Sequence, residues 1–148
     1  MRGLLSFVAV FEIEFYEDEH GDAPVLRWLR EELSQRTRRT LGTAMNRVLQ
    51  ELGVGVCNTK FGRQLGQGLF EFRLRGSDLA EVVTGARDPA EAKMLLRVFC
   101  HAHGDKLILL LAGYDKGEAA SARRQSQEIA VARSRLKDWQ KRHRRTPG

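Results

Sequence analysis

Residues 68–76, GLFEFRLRG, alternate without a break. As a strand the segment turns Phe70, Phe72 and Leu74 to one side and Leu69, Glu71, Arg73 and Arg75 to the other, because successive side chains of an extended chain point to opposite faces. The apolar side requires a core. The other side carries two arginines and a glutamate, and what those charges meet decides what the sheet is for.

Downstream, Met94 to Ala102 and Leu107 to Tyr114 read as two further strands, joined by His103, Gly104, Asp105 and Lys106, a set of residues suited to a hairpin turn. The run LILLLAG is apolar on both faces, as a central strand is. Arg97 interrupts an otherwise apolar strand between Leu95 and Phe99, and it is expected beside Arg73. Upstream, residues 53–68 hold five glycines with Lys60 and Arg63 and read as a flexible loop. Before them come two helical stripes: Val25, Leu26, Trp28, Leu29 and Leu33 behind an Asp22 N-cap with Pro24 in the first turn, then Leu41, Met45, Val48, Leu49 and Leu52 ending at Gly53. Phe7 to Phe15 alternate as a first strand that becomes an edge. Residues 76–93 are a connection without a clear pattern. From Glu118 the pattern is helical, with Ile129, Ala132, Leu136 and Trp139 on one side, and a basic, frayed tail is expected over 141–148.

The expected order is strand, helix, helix, three strands in an antiparallel meander, and a C-terminal helix. This is an α+β layer with helices over one face and the other face open. Its 148 residues, 42% of them hydrophobic, suit a single domain spanning 1–148. The net charge of +6 points to a polyanionic partner, nucleic acid before membrane. The charge is uneven. Residues 1–22 hold six acids against Arg2, whereas residues 117–148 hold nine Lys or Arg against three acids.

Cys57 and Cys100 have no metal-like spacing, so reduced thiols and a cytoplasmic location are expected, with no signal peptide or membrane span. His101 and His103 share a strand face, but His20 and His143 lie at opposite ends of the chain and no third ligand is indicated. No metal is expected.

FYEDEHGDAPVLRWL, GLFEFR, LLRVF around Arg97, AGYDK ending at Lys116 and the EIAVA helix from Glu128, in that order, resemble the RelE/ParE superfamily. Within it the likeness is to the phage-derived HigB-like toxins of type II toxin-antitoxin systems, and it runs from about Phe11 to about Trp139. Two positions depart from the family pattern: Asp115 stands where the first of two lysines is usual, and Arg124-Gln125-Ser126 replace a usual Thr-Pro.

The resemblance implies a ribosome-dependent, metal-independent mRNA endonuclease without a cofactor. In it Arg73 holds the phosphate, Arg97 stabilises the transition state and Lys116 assists the leaving group. Such a reaction needs cations and a proton donor, and guanidinium is permanently charged and bidentate to phosphate. Tyr114 is expected to stack on a base or orient the 2′-OH, and Lys60, Arg63, Arg75 and Arg124 to contact RNA. Glu71 is expected to hold an ion pair. The implied partners are mRNA, the ribosome and a cognate helix-turn-helix antitoxin that masks Arg73, Arg97 and Lys116 or covers Arg124, Arg133 and Arg135. Two other functions fit the scaffold: a ParE-like gyrase-inhibiting toxin, and a non-catalytic RNA-binding domain.

Overall fold

The computed structural model describes residues 11–76, 94–117 and 121–145, and in them the alternating segments become strands of one mixed sheet. These are β1 (Glu12–Phe15), β2 (Gly62–Gly66), β3 (Leu69–Arg75), β4 (Leu95–His103) and β5 (Leu107–Asp115). The spatial order is β1-β5-β4-β3-β2, with β1 parallel to β5 and every other pair antiparallel. β1 lies at an edge, as its increasingly polar pattern foretells, and the β4–β5 turn falls at Gly104 to Lys106. Phe7 to Val10, residues 77–93 and residues 118–120 lie outside the described residues.

The segment expected as a flexible loop is ordered. Gly53–Asn58 form a 3-10 helix, and β2 follows as a fourth strand of the meander, pairing Gly62 with Phe72 and Arg63 with Glu71. Its glycines serve close approach and reversal. A Cβ at Gly62 would lie 2.6 Å from the Val56 side chain and 2.7 Å from its backbone, and Gly66 and Gly68 flank Gln67 at positive φ in the β2–β3 turn.

On one face of the sheet lie helices α1 (Pro24–Glu31) and α2 (Gln35–Ala44); a π turn at Met45–Leu49 and the short α3 (Gln50–Leu52) continue α2. Asp22 does not cap α1. The N-cap is Ala23 without a side-chain bond, and Asp22 instead pairs with Arg27. α2 is capped by Ser34, whose hydroxyl accepts the Thr37 N–H at 3.1 Å. Trp28, Leu41, Met45 and Leu49 pack with Phe70, Phe72, Leu74, Val98 and Leu110 in the first core. Leu52, expected on the buried stripe, is 45% exposed.

The second face is not open. Helix α4 (Ala122–Arg145) lays Ala132, Leu136 and Trp139 over Leu69, Phe99, Leu109, Leu111 and Tyr114. The physical reason is in β5, whose residues Ile108 to Ala112 are all buried and thus need cover on both faces. α4 runs on to Arg145, through most of the stretch expected to fray. It is tied down by Arg135, which donates to the Leu111 carbonyl at 2.7 Å, and by Asp138, which accepts from the Tyr16 hydroxyl at 2.5 Å. Among the described residues no helix is long and apolar enough to cross a membrane.

Candidate functional site

Register assembles the site. β3 and β4 pair Arg73 directly with Arg97, β4 and β5 pair Arg97 with Tyr114, and Arg75 lies opposite Leu95, whose carbonyl accepts the Lys116 N–H at 2.8 Å. Arg73, Arg75, Arg97, Tyr114 and Lys116 therefore gather at one end of the sheet. Arg63, opposite Glu71, stays exposed on the β2 edge, and the Lys60 ammonium lies 5.5 Å from the Phe61 ring. Arg124 comes from α4, its guanidinium 5.0 Å from the Tyr114 ring and paired with Glu128 at 2.7 Å.

At the centre is a buried polar chain. Glu71, 1% exposed, meets the Arg97 Nε at 3.4 Å, and Arg97 is itself only 6% exposed. The same Glu71 oxygen accepts from Gln125 Nε2 at 2.8 Å, and Gln125 Oε1 of the same side-chain amide accepts from the Tyr114 hydroxyl. Tyr114 stacks on Phe99 with centroids 6.3 Å apart. Glu71 is thus the ion-pair holder its sequence context suggests, but Arg97 and Tyr114 lie beneath α4 and not on an open surface. Gln125 escapes sequence reading because a lone glutamine in a polar helical turn resembles any solvated residue. The both-faced apolar run of β5 was the signal that something covers this side.

The Arg97 guanidinium meets the Glu71 carboxylate while Arg73 pairs with Arg97 across the strands, and the donors of the two arginines are not all used. Arg73 Nη2 donates to the Gly62 carbonyl at 3.3 Å, whereas Arg73 Nε and Arg97 Nη1 are buried without a hydrogen-bond partner among the described residues. Burial lowers the Arg97 pKa; Glu71 opposes that shift, and Arg73 and Arg75 add to it. Burial likewise raises Tyr114. The cluster holds more positive charge than it neutralises, a state that an oxyanion relieves by accepting the idle N–H groups.

The histidines lie elsewhere. His101 Nδ1 is 2.7 Å from the Gly68 carbonyl, and His103 meets both Trp139 and His143, with centroids 5.0 and 4.9 Å away. α4 folds back along the sheet and brings His143 to His103, a neighbour that sequence separation hides. Among the described residues no group of three His, Cys, Asp or Glu could hold a metal. Cys57 and Cys100 are free thiols whose pKa values burial raises, which makes them poor nucleophiles.

The three arginines expected to face an antitoxin are already engaged: Arg124 with Glu128, Arg133 with the Leu65 and Gly66 carbonyls at 2.9 and 3.1 Å, and Arg135 with Leu111. No protein-family model, curated protein or solved structure matches the chain.

Proposed function

We propose that this chain is a RelE/ParE-like toxin of the HigB type that cleaves mRNA on the ribosome, in the cytoplasm, without a metal or cofactor. One observation carries the reading: the Arg73–Arg97 cross-strand pair, in which Arg97 meets the carboxylate of Glu71 and two buried N–H groups have no hydrogen-bond partner among the described residues. A phosphodiester supplies what this pair lacks. Arg73 holds the phosphate, and Arg97 stabilises the phosphorane as the 2′-oxygen bonds to phosphorus and the 5′-oxygen departs. Lys116, half-buried just past the end of β5, assists that departure in this reading. RNA reaches Arg97 once Gln125 releases Glu71 and Tyr114. A helix-turn-helix antitoxin belongs to this reading as the partner that masks the same cations.

The test is primer extension on mRNA with translating ribosomes in EDTA, beside naked RNA. Cleavage on ribosomes that Arg97→Gln abolishes supports the reading; efficient cutting of naked RNA, or DNA-damage signalling in place of translation arrest, overturns it. The burial of Glu71, Arg97 and Tyr114 under Gln125 favours a second reading, a non-catalytic RNA-binding domain on the same scaffold. Gln125→Ala separates the two, because loosening the cover raises cleavage in a nuclease and leaves an inert domain inert.

A further inference from the structure

α4 carries two described acids, and both already have partners: Glu128 binds Arg124, and Asp138 binds Arg142 at 2.8 Å and accepts from Tyr16. Arg133 and Arg135 reach inward to backbone carbonyls. What remains opposite the buried Ala132, Leu136 and Trp139 is a ridge of exposed cations, Arg123, Lys137, Lys141 and Arg144, with Ala130 and Ser134 between them. The ridge recurs at steps of three, four or seven residues, the spacing of one helix face. None of its four cations makes a hydrogen bond or ion pair among the described residues.

We infer that this outer ridge of α4 docks on the phosphate backbone of structured RNA, as a surface separate from the Arg73–Arg97 site. From Arg123 to Arg144 the ridge extends about 32 Å at a rise of about 1.5 Å per residue, and Lys137, Lys141 and Arg144 follow one another at about 6 and 4.5 Å along the axis. A line of one sign, uninterrupted by acids, complements a polyphosphate strand and matches the chain's net charge of +6. A lipid surface fits poorly: the apolar side of α4 is occupied by the sheet, and on the helix only Val131 is a large exposed apolar residue. The ridge also lacks a pattern of side chains for reading bases, so binding is independent of sequence and sensitive to salt. The choice of RNA over DNA rests on the ribosome as the place of action in the preceding reading.

The experiment measures binding of the full chain to a 20-base-pair RNA duplex, the matching DNA duplex and anionic lipid vesicles across a salt series. The proteins compared are the wild type, R123Q/K137Q/K141Q/R144Q, and a charge-matched control, R30Q/R36Q/R39Q/R47Q. The ridge variant is expected to bind RNA at least about tenfold more weakly near 100 mM salt, with a log K against log salt slope shallower by roughly 3. The control changes much less. Equal losses from both variants would reduce the effect to net charge and overturn the inference, as would ridge-dependent binding of DNA or vesicles in preference to RNA. Wild-type protein that binds RNA through the ridge yet cleaves nothing on translating ribosomes refutes the nuclease and leaves the ridge standing.

Discussion

Glu71 and Arg97 lose nearly all their water on folding, and their 3.4 Å approach is stabilising only while both are present. Removing one leaves the other as an unpaired buried charge. Glu71→Ala is expected to cost about 3–5 kcal/mol in urea unfolding, and Glu71→Ala with Arg97→Ala together less than the sum of the singles, because the second change removes the stranded charge. Additive costs would show that the two are independent. A second contact sets pH limits. Burial, with the Asp138 bond, raises Tyr16 to about 12 from an ordinary value of 10.0, and the Arg142 and Tyr16 bonds lower Asp138. A raised tyrosine stabilises the fold fully below pH 10, and its contribution disappears as pH climbs toward 12. A depressed aspartate contributes above its ordinary 3.8 and less as pH falls through its folded value. Tyr16→Phe is therefore expected to flatten the alkaline limb of a stability-against-pH curve followed by denaturant unfolding, while Asp138→Asn flattens the acid limb. An unchanged alkaline limb in Tyr16→Phe would remove Tyr16 as its cause.

Among the elements, the seat of α1 on β5 has no spare room. A Cβ at Gly113 would come within 2.5 Å of the Trp28 ring, so Gly113→Ala should force the helix outward and cost roughly 1–3 kcal/mol, measured by thermal or urea unfolding. Restoration by Trp28→Leu in the same background would locate the clash. β3, β4 and β5 were legible because each alternates or is wholly apolar over seven to nine residues, long enough for period two to stand out. β2 was not: GRQLG has one apolar side chain, and its glycines, placed for contact with Val56 and for the turn, read as flexibility. The face covered by α4 was misread for a related reason. Glu71, Arg73 and Arg75 look solvated in one strand, and only pairing with Phe99, Tyr114 and a distant helix reveals that Glu71 is enclosed. The cross-strand meeting of Arg73 and Arg97 was legible because strand order and alternation fix it without any side-chain detail.

For the molecule as a whole, the partner of the first strand lies near the far end of the chain. Glu12 pairs with Leu107, a separation of 95 residues (107 less 12), and β5 sits between β1 and β4. During synthesis β1 and both N-terminal helices leave the ribosome with their apolar stripes facing no sheet, since the strand that β1 joins has yet to be made. Contacts this remote slow folding and lengthen the time that apolar surface is exposed. Nascent chains arrested before Leu107 emerges are expected to be cut readily by protease throughout 12–76, and chains that have released α4 to resist it. Protection of the N-terminal half in the shorter chains would refute this. A chain with this connectivity acquires its fold late, so the proposed nuclease would have no working form until β5 and α4 have both been made.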